Sequence, residues 1–149
     1  MHAYVRMLTS FRRHVRVFAL LVLALAVIGT ASAAGSLYKG KVKAGGKLSF
    51  RTTATSVVGF KAWPTVLCTS AAPPSSFIEV HYLPLQTKKP LKNGYFKITF
   101  KGSFSTHGWV TGTVKRASAS GKLNLWYTRT RGTTIYACRC VSTWTAKKT

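Results

Sequence analysis

The sequence predicts an all-β protein: an antiparallel β-sandwich or small barrel of about eight strands, preceded by an N-terminal signal helix. After residue 35, apolar and polar residues alternate in short runs rich in β-branched and aromatic side chains. This is the pattern of antiparallel strands that bury one face. Turn-forming residues separate the runs, and no apolar set recurs at the spacing of an amphipathic helix.

The first 33 residues have the three parts of a secretory signal: a basic stretch, an apolar run over residues 17–29 and the small residues Ala31-Ser32-Ala33. We expect Sec-type export with cleavage near Ala33, because the apolar run is shorter than the roughly 20 residues of a stable membrane-spanning helix. An uncleaved signal anchor is the alternative. Either arrangement leaves residues 34–149 outside the membrane as a single β-domain, since the basic flank stays in the cytoplasm.

The charge of the chain is one-sided. It has 23 Lys and Arg residues and one acid, Glu79. Four of these cations lie in residues 1–33, so the other 116 residues keep 19 cations against one acid, a net charge of about +18. Such a charge destabilises the folded state by self-repulsion and favours anionic partners. The alternative is that basic composition serves solubility alone.

The first strand is predicted over residues 37–43, with Tyr38 and Val42 on the inner face and lysines on the outer face. Ala44-Gly45-Gly46 then predicts a hairpin turn, because glycine adopts positive φ without steric cost. The run after this turn places Leu48 and Phe50 on the inner face.

The next run covers residues 56–63, with Val58, Phe60 and Ala62 assigned to its inner face. Residues 64–75 are expected to be irregular, because their prolines lack the donor that a central strand needs.

Residues 77–82 alternate again, and Ile78, Val80 and Tyr82 are assigned to the inner face. Residues 84–94 are rich in lysine and end on an Asn-Gly pair, which predicts an exposed cationic loop and a turn.

The clearest strand is residues 95–101, with Phe96, Ile98 and Phe100 inward. Three more runs complete the chain, followed by a short polar tail from residue 146. They cover residues 104–115, 121–131 and 133–145.

Several of these segments together resemble small, uncharacterised secreted β-proteins of actinobacterial type. The likeness rests on GKVKAGGKLSF, FKITFKGSF, GWVTGTVK, SGKLNL and the closing STWTAKK after a cysteine. It covers most of residues 36–148 and implies a fold and an extracellular compartment, but no activity. The second late cysteine, Cys140, departs from this pattern and leaves the partner of Cys68 ambiguous.

All three cysteines lie in the exported part, where an oxidising compartment favours disulfides. Cys138 and Cys140 are two residues apart on one predicted strand, near the outer limit of disulfide geometry. We therefore expect a bridge from Cys68 to Cys138, with Cys140 as the alternative partner. A zinc site made from these thiols and a histidine is disfavoured, because the usual ligand spacing is missing. No metal or cofactor is predicted.

The scarcity of acids excludes most catalytic schemes. The usual glycosidase needs two carboxylates, and a serine triad normally needs one to orient its histidine. A cysteine-dependent enzyme using the unpaired thiol with His81 or His107 is the remaining option. We expect a non-enzymatic protein in which Glu79 is a strand residue paired with a nearby lysine.

The preferred function is attachment to an anionic polymer, such as teichoic acid, acidic polysaccharide or, without sequence specificity, nucleic acid. Trp126 is the candidate for stacking on a ligand ring, because it faces outward with Lys122 and Asn124. The alternative is a protein–protein or inhibitor module that uses an exposed sheet edge, and the oligomeric state is left open. The predicted polyanion-binding residues are Lys39, Lys41, Lys43, Lys88, Lys89, Lys92, Lys97 and Lys101.

Overall fold

Ten antiparallel strands make up the fold of the described residues. The computed structural model describes residues 35–103 and 105–149, and the predicted signal sequence lies outside them. No helix in these two stretches is long and apolar enough to span a membrane. The strands are β1 (Ser36–Val42), β2 (Lys47–Thr52), β3 (Ser56–Ala62), β4 (Thr65–Ala71), β5 (Pro74–Val80), β6 (Leu83–Pro90), β7 (Tyr95–Lys101), β8 (His107–Val114), β9 (Ser118–Arg131) and β10 (Thr134–Lys148).

Eight of the strands form one sheet in the order β6-β3-β2-β1-β10-β9-β8-β7. Its two end strands, β6 and β7, are consecutive in the chain and contact each other, so the sheet is barrel-like and nearly closed. The all-β prediction is confirmed. The sheet curls into a barrel-like form, and the described residues contain ten strands instead of about eight.

Aromatic rings fill the inside of the barrel. Phe50 lies at their centre, with ring centroids 5.1 Å from Tyr38, 5.7 Å from Phe60, 5.9 Å from Phe96 and 5.8 Å from Trp144. All five residues are buried. An eight-stranded barrel has an interior that is just wide enough for side chains to fill. Because aromatic rings are large, a few of them fill it.

Two glycines make room for the largest of these rings. Gly112 and Gly121 are opposite each other on β8 and β9. A Cβ atom on either glycine would lie 2.5–2.6 Å from Cζ2 of Trp144. The indole therefore requires the missing side chains.

The predicted turn between β1 and β2 is confirmed. Gly45 and Gly46 have φ values of 106° and 97°, and the amide of Val42 donates to the carbonyl oxygen of Gly46 at 3.0 Å. A Cβ atom on Gly46 would lie 1.7 Å from the carbonyl oxygen of Trp63. The turn therefore packs directly against the connection between β3 and β4.

The largest correction concerns residues 64–75, which form most of a β-hairpin and are not irregular. β4 pairs with β10 over residues 137–139, and β5 pairs with β4. Pro74 is compatible with this arrangement because it is the first residue of a strand at the sheet edge, where no ladder donor is needed.

The faces assigned to residues 77–82 are also wrong. Ile78 is 68% exposed and Val80 63% exposed, while Phe77 and Glu79 are only partly exposed and turn inward. Phe77 is opposite Cys68 in the register, and Cys68 faces the buried side. Pairing with β4 therefore sets the orientation of β5, although its apolar residues end up on the outside.

A β-bulge shifts the inner face of β3. The register with both neighbouring strands shifts near Gly59, which has a φ of 60°. As a result Val57 is buried in place of Val58. A β-bulge adds one residue to a strand, so the side chains on its two sides do not follow one regular alternation between the faces.

Residues 84–94 were expected to form a loop, but most of them belong to β6, which buries Leu83 and Leu85 against β3. The turn at Asn93 and Gly94 is confirmed, with φ values of 50° and 78°. On β7 the inner face is confirmed, because Phe96 and Ile98 are buried and Phe100 is half-buried.

The chain end was expected to be a polar tail, but residues 146–148 belong to β10. Lys148 is opposite Tyr38, so pairing with β1 holds the chain almost to its last residue.

Candidate functional site

Eight lysines lie on the outer surface of the barrel, on β3, β2, β1, β10, β9 and β7 or at their ends, and β8 separates β9 from β7. All eight are exposed. We call this group the lysine band. Its members are Lys39, Lys41, Lys43, Lys47, Lys61, Lys97, Lys122 and Lys147.

Strand register brings several of these lysines close together. Lys41 on β1 is directly opposite Lys47 on β2. Lys39 on the same strand is opposite Lys147 of β10. Like charges placed across from each other on one face destabilise a sheet. The arrangement therefore lowers folding stability, and a bound anion would relieve that cost.

A second part of the band runs across the other strands. Lys97, Thr111, Lys122 and Thr143 occupy successive opposite positions on β7, β8, β9 and β10. The amide of Lys43 donates to the carbonyl oxygen of Thr143 at 2.9 Å, which extends the row to the end of β1. Because neighbouring strands are about 4.8 Å apart and lysines occupy every second position of this row, successive lysines are about 10 Å apart.

No carboxylate side chain is left to neutralise the band. The only acid of the chain is Glu79. In the described residues its carboxylate pairs with two arginines, Arg129 at 3.8 Å and Arg131 at 3.5 Å, and not with the lysine expected from the sequence. The lysines therefore present uncompensated positive charge to solvent.

Four of the eight predicted polyanion-binding lysines belong to the band. These are Lys39, Lys41, Lys43 and Lys97. The other four lie elsewhere: two at the far end of β6, one in the following turn and one at the end of β7. These are Lys88, Lys89, Lys92 and Lys101.

The predicted polyanion-binding set left out the remaining four members of the band, although Lys122 was assigned to an outward face beside Trp126. These four are Lys47, Lys61, Lys122 and Lys147. Lys61 and Lys122 lie beside apolar residues of predicted strands, for example Lys122 beside Leu123, so the alternation indicated their exposure, whereas Lys147 lay in the predicted polar tail. The missing information was the pairing of strands far apart in the sequence. Lys39 and Lys147, for example, become neighbours only when β1 pairs with β10.

Two grooves flank the β1–β2 turn, and each combines two lysines with a tryptophan. The first has a volume of about 580 Å³ and is lined by Lys41, Gly46, Lys47, Trp63 and Val80. The ammonium nitrogen of Lys47 lies 5.0 Å from the centroid of the Trp63 ring. We call this the Trp63 groove.

The second groove, the Trp109 groove, has a volume of about 550 Å³. Lys43 and Lys122 lie in its lining beside Trp109, with Val141 and Thr143. A cationic groove with an aromatic ring attracts a chain of negative charges and also offers a flat surface to sugar rings or bases.

Trp126, the stacking candidate from the sequence, lies outside both grooves and is half-buried. The guanidinium carbon of Arg139 is 4.2 Å from its ring centroid. The ring of His107 stacks with it at 6.3 Å, with 11° between the planes. Neighbouring side chains contact this ring, as the Tyr82 ring, 5.0 Å away, stacks on that of Trp63.

The Cys68–Cys138 disulfide predicted from the sequence is present, and Cys140 is a buried free thiol. The bridge joins directly opposite residues of β4 and β10. It lies beside the Glu79 carboxylate, which accepts a hydrogen bond from the Tyr127 hydroxyl. The two bridged sulfur atoms and a carboxylate oxygen of Glu79 lie within 4.8 Å of one another. A disulfide offers a metal ion no thiolate, which is the form that binds it.

The groups around Glu79 have shifted pKa values. Burial raises the pKa of Tyr127, and its hydrogen bond to Glu79 adds to the shift. Burial lowers the pKa of His81, the nearby Glu79 carboxylate opposes that shift, and Arg129 strengthens it. His81 and Tyr127 line a pocket of about 250 Å³. The Glu79 carboxylate on β5 contacts Tyr127 and two arginines on β9. These contacts connect the β4–β5 hairpin to the barrel.

Burial also raises the pKa of Cys140. The neutral thiol is therefore favoured at this position, whereas a cysteine nucleophile acts as the thiolate. The cysteine-histidine scheme considered from the sequence would require this buried thiol to lose its proton.

No family model, curated protein or solved structure matches this chain.

Proposed function

We propose that this protein is a non-catalytic, exported module that binds an anionic polymer of the cell envelope. The observation that carries the proposal is the lysine band, eight exposed lysines on one continuous surface without a neighbouring carboxylate. Binding would neutralise this charge and release counterions from the polymer. The disulfide is compatible with an oxidising extracellular compartment.

The two grooves indicate how a polymer would lie on this surface. Each groove has two lysines beside one tryptophan, and the β1–β2 turn lies between them. A chain that crosses the turn would contact both pairs of lysines. Rings between its anionic groups would meet Trp63 and Trp109. A polymer that combines repeated negative charges with sugar rings fits this pattern better than a compact anion.

The test compares two fourfold variants of equal charge. The first replaces the groove lysines: Lys41→Gln, Lys43→Gln, Lys47→Gln and Lys122→Gln. The control replaces four lysines outside the band: Lys88→Gln, Lys89→Gln, Lys92→Gln and Lys101→Gln. Binding is measured by titration calorimetry against purified teichoic acid, an acidic polysaccharide and single-stranded DNA over a series of NaCl concentrations.

We expect the groove variant to bind at least about tenfold more weakly than the control. The salt slope on single-stranded DNA should fall by about 3, from four lost contacts at roughly 0.7 each. Equal losses of affinity in both variants would mean that binding depends only on net charge. Binding that does not respond to salt would exclude the proposal. Preference for DNA over both envelope polymers would contradict the assignment to the envelope.

A further inference from the structure

An uncharged row of side chains crosses the outer face of the barrel from β7 to β10. Its members occupy successive opposite positions on the four strands. None of them belongs to the buried core of its strand. We call this row the neutral strip, and its members are Thr99, Trp109, Asn124 and Val141.

Cations lie on both sides of the neutral strip. Lys122 precedes Asn124 by two residues on β9, and Arg139 precedes Val141 by two residues on β10. Because these strands are antiparallel, the two exposed cations lie on opposite sides of the strip. Each is about 7 Å along its strand from the strip. A chain that ran along the strip would therefore have cations on both sides for its anionic groups, while its uncharged parts met the strip.

Trp109 gives the strip a flat apolar surface. It is half-buried and lines the Trp109 groove together with Val141, which is 57% exposed. Within the described residues, no ring or guanidinium group stacks on Trp109, in contrast to Trp63 and Trp126. Aromatic and aliphatic side chains with a few polar groups among them are the usual lining of a ligand site.

Asn124 supplies the polar group. Its Oδ1 atom is buried and accepts no hydrogen bond in the part of the chain that the structure describes. Most buried polar atoms are paired, so this exception calls for an explanation. Asn124 is opposite Trp109 on one side and Val141 on the other, and both of these line the groove. Rotation about the last torsion of the amide, which has broad minima, would turn Oδ1 toward a hydroxyl group of a ligand in the groove.

We propose that the neutral strip binds the sugar rings of an acidic polysaccharide, with Trp109 against the C–H face of one ring and Asn124 accepting a hydrogen bond from a ring hydroxyl. The strip thereby narrows the polymer class of the proposed function, on which this inference rests. Along the strip an aromatic ring is followed by an amide and then by an alkyl group. Sugar rings present both C–H faces and hydroxyl groups to such a row, whereas sites for single-stranded nucleic acid offer successive aromatic rings to successive bases.

The test is titration calorimetry at one ionic strength with three polymers: polygalacturonic acid, poly(glycerol phosphate), which has hydroxyl groups but no ring, and inorganic polyphosphate, which has neither. Asn124→Leu removes the amide at nearly constant volume, and Trp109→Ala removes the ring. Thr130→Val, also a change from polar to apolar on β9 but beyond the strip, is the control.

We expect each strip variant to bind polygalacturonic acid at least about fivefold more weakly than the unmodified protein. Binding of inorganic polyphosphate should stay within about twofold, because it depends on the cations alone. The control should stay within about twofold on both polymers. Asn124→Leu should leave the melting temperature unchanged or raise it, since leucine removes an unpaired buried acceptor.

Equal losses of affinity for polygalacturonic acid and polyphosphate, or no loss for either, would overturn the inference. So would a lower melting temperature of Asn124→Leu without a selective loss of polysaccharide binding, or a preference of the unmodified protein for poly(glycerol phosphate) over polygalacturonic acid. Failure of the proposed function would appear separately, because the fourfold groove-lysine variant would then bind polyphosphate as tightly as the unmodified protein.

Discussion

The position of a single acidic residue explains much of the local chemistry. Glu79 accepts a hydrogen bond from Tyr127 and pairs with Arg129 and Arg131. Its charge is therefore used inside the protein, between β5 and β9. The lysines outside have no acid within the chain to pair with, which leaves them available for an external anion.

The pH response of His81 tests this cluster. The pKa of His81 is lowered chiefly by burial, so the folded protein resists protonation of a ring that the unfolded chain protonates near its ordinary value of 6.5. The unfolded state then binds more protons in this window, and the sign of the linkage makes stability fall as the pH falls below about 6.5. Thermal unfolding between pH 8 and pH 5.5 measures this loss.

Two histidine variants separate this effect from general acid destabilisation. His81→Gln should flatten the pH dependence in that window. His107→Gln, at an exposed histidine on β8, should leave it unchanged. A profile that His107→Gln flattens as much as His81→Gln would contradict the assignment.

At the scale of the elements, the β4–β5 hairpin is an appendage held to the barrel by covalent and noncovalent contacts. The Cys68–Cys138 bridge spans 70 residues of sequence. On the inner side of the hairpin, the Phe77 ring lies 4.8 Å from that of Tyr136, and the guanidinium carbon of Arg131 lies 3.4 Å from the Phe77 centroid. These contacts hold β5 in place while its outer edge remains open.

Loss of the bridge should therefore be costly. The double variant Cys68→Ala/Cys138→Ala should lose about 2–5 kcal/mol of unfolding free energy in urea, since a bridge across this loop restricts the unfolded chain strongly. Cys140→Ala, which removes a buried thiol outside the bridge, is the control and should lose less. Equal losses would mean that the bridge adds nothing beyond packing.

At the scale of the whole molecule, unbalanced charge limits stability. Lys41 and Lys47 are directly opposite each other without an acid nearby. Repulsion of this kind is screened by salt. The barrel therefore depends on its aromatic interior and on ionic strength, and a polyanion that covers the lysine band would stabilise the folded state.

Lys41→Glu tests this balance, because it places an acid opposite Lys47. We expect the melting temperature at low salt to rise, and its increase with NaCl to become smaller than in the unmodified protein, since one repulsive cross-strand pair becomes attractive. Lys88→Glu changes the net charge equally but outside the band and should produce a smaller effect. If the two variants responded alike, total charge would matter and cross-strand pairing would not.

Several strands of the fold followed from the sequence because alternation is a local property. Tyr38, Val42, Leu48, Phe50, Phe96 and Ile98 were assigned to the interior, and all are buried. The turns at Gly45-Gly46 and Asn93-Gly94 followed from the conformations that these residues permit. In these segments the strand period and the buried face coincide.

The same reasoning failed where distant pairing decides the outcome. Val57 replaces Val58 in the core because the ladder shifts at Gly59. Ile78 and Val80 face solvent because β5 follows β4, and β4 follows β10 through opposed cysteines. Local apolar alternation cannot indicate which face a strand buries when its neighbour determines that face.

The features of the candidate site also divide into those that the sequence determined and those that depend on the tertiary structure. By itself the sequence determined the all-β class, the excess of positive charge, the near-absence of acids and the Cys68–Cys138 pairing as the preferred choice, because composition and short-range alternation carry that information. Only the tertiary structure decided which lysines share a surface, which tryptophans lie beside them and which strand edge stays open. Those features depend on the register between strands up to about a hundred residues apart, and register is set by packing across the whole sheet.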